Sequence, residues 1–297
     1  MKRRGILKVG SGAALSLFAC TRGWPGAFHE KRTRVLFFTR SAGFEHSVVK
    51  RPRSGLSHSE RCLIEMGRRA GFEVECTKDG RVFDGSLEPY DVIAFYTTGD
   101  LTGAAQDGSP PMTPQGKQKL LEAIAAGKGF VGFHSATDSF HSKGPSNEHQ
   151  VEVDPYIAMI GGEFLTHGAQ QEASLFLVTR KFPGVADLGM AEGIAFTDEW
   201  YTFKNFAKDL HVILVQETRY MQGEAYRRPD YPATWARMHG RGRVFYTSLG
   251  HREDIWTNPF FQAIALGGLA WASGKADADV RPNISEVTPQ AHRLRMD

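Results

Sequence analysis

The chain has 297 residues, 41% of them apolar and 23% charged, which is enough for one large folded domain with a sizeable core. Its formal charge of +3 hides an asymmetry. Residues 1–32 carry seven Lys/Arg and one acid, Glu30, so the remaining 29 basic and 32 acidic residues leave the body slightly acidic. That balance excludes a basic field for a phosphate backbone, so no nucleic-acid partner is expected.

The basic start reads as an export signal. "MKRRGILKVGSGAALSLFAC" joins a charged n-region to an apolar stretch too short to span a bilayer. "RRGILK", with Arg3 and Arg4, resembles a twin-arginine signal, and "LFAC" resembles a lipoprotein cleavage site with Cys20 as the candidate lipid anchor. Residues 1–32 are therefore expected to be signal and linker, with a periplasmic or extracytoplasmic, membrane-anchored destination. Cys62 and Cys76 read as small buried side chains or as a pair, and the absence of CxxC excludes a cysteine zinc site.

From residue 33 the pattern alternates. "RVLFFTR" (34–40) predicts a buried strand, "LSHSERCLIEMGRRAGF" a helix ending at Gly71, and "FEVECT" (72–77) a strand with one buried face. "DVIAFYT" (91–97) is a continuous apolar run, as in a central parallel strand. A helix capped by Thr113 with Pro114 in its first turn follows, then the strand "GFVGFH" (129–134). Strands are also expected at 173–178, 211–217 and 242–250, with a terminal helix over 258–274. This order predicts an α/β fold with a doubly wound, mostly parallel sheet and ligand sites at the carboxyl ends of its strands. One domain is expected over 33–274, followed by a loosely attached polar tail at 275–297.

Ionisable residues gather where that fold would place a site. His134 ends a strand and Asp138 lies in the turn after it; both are candidate catalytic groups, whereas His141 reads as solvated. His46 follows the first strand and His251 the last. "TDEWY" sets Asp198 and Glu199 beside Trp200 and Tyr201, a composition suited to a sugar pocket, and equally to a surface turn. His167 is a weaker candidate beside a glycine turn, and His239 reads as structural. The candidates are His134, Asp138, Glu199 and His251 for catalysis, and His46, Trp200, Tyr201 and His167 for substrate binding. His46, His134 and His251 could hold a divalent metal ion. Ser135 could be a nucleophile, but an elbow centred on it needs small residues at Phe133 and Thr137. No P-loop, GxGxxG or HExxH is present.

"GFVGFHSATD", "IGGEFLTH", "DEWYTF" and "GRVFYTSLGHREDIWTNPFFQAIALGGLAWASG", in that order, resemble the ThuA-like (trehalose-utilisation) proteins over residues 34–274. The resemblance implies a class I glutamine-amidotransferase-like, flavodoxin-like fold. The amidotransferase cysteine is absent, so thiolate amidotransfer is not expected, and the family's alanine at the position of Ser135 weakens a serine nucleophile. The resemblance also implies a role in a pathway that oxidises disaccharides to 3-keto sugars. A ketone at C3 acidifies the C2 proton, so a base, a group stabilising the enolate oxygen and an acid would suffice to break the glycosidic bond. The reading is thus an exported enzyme of saccharide catabolism acting on 3-keto-glycosides by elimination or hydrolysis. The alternatives are a non-catalytic saccharide-binding lipoprotein, with Trp200, Tyr201 and Trp256 stacking on sugar, and a serine hydrolase using Ser135.

Overall fold

A computed structural model describes residues 32–185 and 192–295, together with the backbone of Ile6–Lys8. Arg3, Arg4 and Cys20 lie outside the described residues. In chain order the elements are β1 (Ile6–Lys8), β2 (Thr33–Phe38), α1 (His58–Ala70), β3 (Phe72–Thr77), β4 (Val92–Phe95), α2 (Pro114–Ala125) and β5 (Gly129–Phe133). Next come α3 (Pro155–Ile160), β6 (Glu163–His167), β7 (Gln171–Leu177), β8 (Gly193–Asp198), β9 (Tyr201–Lys204) and β10 (His211–Gln216). The chain continues through β11 (Tyr231–His239), β12 (Gly242–Thr247), α4 (Glu253–Thr257), α5 (Pro259–Ala272) and α6 (Ile284–Val287).

Ten strands form one sheet in the order β1-β8-β7-β10-β11-β12-β5-β4-β2-β3, and β6 pairs with β9 in a separate ribbon. From β3 to β12 every pairing is parallel, and this half has the flavodoxin-like order in which the first strand lies between the second and third. Beyond β12 the strands β11, β10, β7 and β8 continue antiparallel.

Burial on both faces explains why β2, β4 and β5 are continuous apolar runs. Val35, Phe37, Val92, Ala94, Val131 and Phe133 face one core with Leu63 and Met66 of α1 and Phe261, Ile264 and Leu269 of α5. Leu36, Phe38, Ile93, Phe95 and Phe130 face the other, with Leu120 and Ile124 of α2 and Tyr156, Ile157, Met159 and Ile160 of α3. Helix starts follow side-chain chemistry. Ser57 and Glu60 form a reciprocal capping box on α1, and Thr113 accepts from Gly116 N ahead of Pro114 in α2.

One expectation changes, and one open alternative closes. The segment from residue 275 is docked rather than loose, because the Asn283 side chain bonds both the N–H and the C=O of Val212, and Ala291 is buried with its carbonyl accepting from Arg228. Cys62 and Cys76 are free thiols, and burial pushes the Cys76 thiol up to about 12. Among the described residues, no helix is long and apolar enough to cross a membrane.

Candidate metal and catalytic site

The parallel register sets Phe133 at the end of β5 opposite Thr247 at the end of β12, so the segments after these strands emerge side by side. His134 then turns sharply, with a positive φ of 39° that residues other than glycine seldom adopt. Gly132 permits the turn. A Cβ there would sit 3.0 Å from both Ile160 Cδ1 and Tyr246 Cδ2, and 3.2 Å from Ala136 Cβ. The strained backbone is held by Tyr246, whose hydroxyl donates to the His134 carbonyl at 2.6 Å. The chain thus builds a strand-to-helix elbow, but His134 occupies its apex. The small residues two before and two after the apex are Gly132 and Ala136.

Ser135 is therefore one position off the apex. Its hydroxyl is buried with no hydrogen-bond partner, so no base is placed to activate it. The nucleophile expectation is corrected on that ground.

Four predicted residues converge at this elbow. One ligand-type atom from each of His46, His134, Glu199 and His251 lies within 4.8 Å of the other three. His134 Nδ1–H donates to the Ser248 carbonyl at 2.8 Å, which turns Nε2 toward the cluster. From there Nε2 is 3.3 Å from His251 Nδ1 and 3.5 Å from Glu199 Oε2, while His251 Nδ1 is 3.1 Å from Glu199 Oε2. A tetrahedral site with metal–nitrogen bonds of about 2.0–2.1 Å has ligand-to-ligand edges of about 3.4 Å, so these separations suit a small divalent ion. His46 adds the fourth group from the loop after β2. Its Nδ1 is buried without a hydrogen-bond partner.

The surroundings keep the donors ready. Burial, followed by the neighbouring His134 and His251, pulls His46 down to about 2, so it stays a neutral imidazole. Burial alone would raise the Glu199 carboxyl, but hydrogen bonds and charge from His134 and His251 outweigh it and hold the group well below the usual carboxylate range. Three imidazoles and one carboxylate form a donor set suited to zinc and similar transition metals.

Asp198 is a positioning residue that the sequence grouped only as part of an acidic turn. It is buried and accepts from Gly250 N at 3.0 Å, Glu199 N at 3.0 Å and Arg252 N at 3.2 Å, which fixes the loop carrying His251. The Gly250 carbonyl accepts from Trp256 Nε1 and the Tyr96 hydroxyl, and Gly250 itself needs a φ of 113°.

Of the remaining candidates, His167 lies at the rim, 3.3 Å from Glu199 Oε1, its ring stacked on Tyr201. Tyr201 is buried; its ring packs on His134 at 4.2 Å and its hydroxyl lies 3.3 Å from His46 Nε2. Trp200 and Trp256 are 1% and 0% exposed, their indole N–H groups bonded to the Gln171 and Gly250 carbonyls. They cannot present a ring face to a sugar. This corrects the stacking expectation for both and removes the motive for a purely binding module built on them.

Asp138 stands outside the cluster in a second set of groups. His141 Nε2 bonds Asp138 Oδ1 at 2.7 Å and His141 Nδ1 bonds Glu163 Oε1 at 3.1 Å. The buried Glu163 also accepts from Ser142 N, Ser142 Oγ and Asn205 Nδ2. These carboxylates raise His141 to about 9, so the residue read as solvated is a bridging imidazolium. Against burial, the hydrogen bonds of His141, Ser142 and Asn205 draw Glu163 down to about 2.

Comparison with known proteins gives this arrangement a family. Residues 34–272 match the ThuA family model, described as trehalose utilisation. No curated protein matches the sequence. Among solved structures, a ThuA-like protein from Bacteroides uniformis superposes with a TM-score of 0.61 at 17% identity, covering 88% of this chain and 99% of its own. A ThuA-like protein from Parabacteroides merdae gives 0.57 at 20% identity, covering 84% and 93%. These two likenesses carry the fold alone. The family match spans the parallel half-sheet, the His134 elbow and all four converging residues, and by it the chain belongs to the ThuA trehalose-utilisation family.

Proposed function

We propose that the protein is an exported metal-dependent enzyme that cleaves the glycosidic bond of 3-keto-glycosides. The observation that carries this reading is the convergence of His46, His134, Glu199 and His251 at the carboxyl end of the parallel sheet. His46, His134, His251 and Glu199 would hold the ion, which when bound supplies a Lewis acid for the ketone oxygen at C3. His251 also sits 2.9 Å from the exposed Gln170 amide, a contact that fixes its ring and turns over if Nδ1 becomes a ligand.

The chain's own residues supply the proton transfers. Asp138, paired with His141 Nε2 at 2.7 Å, takes the proton from C2. The electron pair left on C2 forms a C1=C2 bond and expels the oxygen at C1. His167, whose Nδ1 lies 3.3 Å from Glu199 Oε1 and bonds the Gly168 carbonyl at 2.9 Å, gives that oxygen its proton. The products are a 1,2-unsaturated keto sugar and a free alcohol; later addition of water to the double bond would make the net reaction a hydrolysis. The buried Tyr201 and Tyr96 limit water around the imidazoles.

The test is direct. Purified mature protein, supplied in turn with zinc, manganese, cobalt or nickel, is incubated with 3-keto-trehalose and 3-keto-glucosides, and sugar release is followed. Turnover lost in Asp138→Asn and in Glu199→Gln supports the reading. No turnover across the panel with any metal overturns it.

A further inference from the structure

A row of ring contacts runs through the site. Phe44 meets His46 edge-on at 5.0 Å, His46 meets His134 at 5.1 Å, His134 meets Tyr201 at 4.2 Å, and Tyr201 meets Phe164 at 4.1 Å. The four-residue cluster lies in the middle of this row, and its two ends differ chemically. Beside Phe164 stand His141 and, bonded to it, Asp138, whose carboxylate can accept from sugar hydroxyls. At the other end the Phe44 ring is 67% exposed.

That exposure is built into the backbone. Ala42 N and Gly43 N both donate to the Thr98 carbonyl, at 2.9 and 3.1 Å, and Thr98 Oγ1 donates to the Phe44 carbonyl at 2.8 Å. A Cβ on Gly43 would lie 3.3 Å from Thr98 Oγ1, so the loop is pressed against the strand end beside it. A large apolar ring held out by a clamped loop contributes little to folding, because most of its surface stays in water. Its ring meets a candidate ligand while most of the residue stays in water.

We propose that Phe44 is the platform for the leaving-group portion of the substrate, the sugar or aryl ring beyond the scissile bond. This rests on the keto-glycoside reading and deepens it. The keto ring lies over the cluster with its hydroxyls toward the Asp138 carboxylate, and the second ring stacks its C–H or π face on Phe44. The substrate class is then a glycoside with a ring-shaped aglycone, a disaccharide or aryl glycoside rather than a small alkyl one.

The test uses equilibrium binding, so it does not depend on turnover. Dissociation constants for unoxidised phenyl glucoside and methyl glucoside, which lack the ketone, are measured by calorimetry on wild type, Phe44→Ala and Phe44→Trp. The expected result is a loss of about fivefold for the phenyl ligand in Phe44→Ala, no change for the methyl ligand, and recovery in Phe44→Trp. Equal losses for both ligands, or no loss for phenyl, overturn the proposal. If wild type turns over no 3-keto-glycoside yet shows this phenyl preference, the functional reading falls and the platform stands.

Discussion

Replacing His141 with Gln isolates one charged bridge. In the native protein the imidazolium joins Asp138 at 2.7 Å and Glu163 at 3.1 Å, and its pKa rises from 6.5 to about 9. A raised folded-state pKa gives stability that is complete below the unfolded value, near 6.5, and is lost as pH rises through about 9. The full shift corresponds to about 3 kcal/mol as an upper bound. The side chain is 43% exposed, so solvent screening reduces the expected contribution to about 1 kcal/mol. Glu163 carries the opposite sign. Its lowered pKa contributes stability above its ordinary value of 4.5 that is lost as pH falls through about 2, so the bridge is strongest between 4.5 and 6.5. Urea unfolding followed by tryptophan fluorescence, on wild type and His141→Gln, should show a stability difference at about pH 6 that shrinks by about 1 kcal/mol at about pH 10. Other titrating groups cancel in the difference. A difference independent of pH across that window would refute the bridge.

Three further predictions rest on other parts of the chain. Gly132→Ala forces a methyl to 3.0 Å from Ile160 and Tyr246, so melting should show a loss of about 1–3 kcal/mol together with reduced turnover, because Tyr246 holds the elbow. Ser135→Ala removes a buried, unpartnered hydroxyl; turnover should persist, stability should hold or rise by about 1 kcal/mol, and fluorophosphonate should fail to label wild type. Export by the twin-arginine route, a proposal from the sequence, predicts that Arg3→Lys with Arg4→Lys retains precursor in the cytoplasm. Cys20→Ser should release the exported protein from the membrane fraction, and unchanged fractionation in both variants would count against the signal.

The legible part of the fold was the part whose pattern has one cause. β2, β4 and β5 are buried on both faces and so read as apolar runs, and α1 and α2 announce themselves by their caps. β11 did not, because Pro232 and the polar Thr234 and Arg237 interrupt it, although it lies between β10 and β12. β6 and β9 are short, and the polar ends of these strands and of β8, at Thr197 and Asp198, resemble loop. The site residues were individually legible from their places after strands. Their convergence was not, since residues 46, 134, 199 and 251 are joined only by topology. The small pair that marks the elbow's apex is Gly132 and Ala136, which puts His134, one residue before Ser135, at the apex. Aromatics beside acids suggested a sugar pocket, yet Trp200 and Trp256 spend their N–H groups on backbone carbonyls inside the core. Phe44 left no sequence signal, because only the clamped loop makes its exposure meaningful.

The central claim is that four side chains hold a divalent ion needed for cleavage. It is tested by metal content per chain, measured by mass spectrometry on wild type, His46→Ala, His134→Ala and Glu199→Gln, alongside 3-keto-glucoside turnover after chelation and metal return. The account predicts about one ion per wild-type chain, loss of that ion in each variant, and turnover that falls with the chelator and returns with the metal. A wild-type protein that stays metal-free at saturating ion yet cleaves at full rate would contradict it.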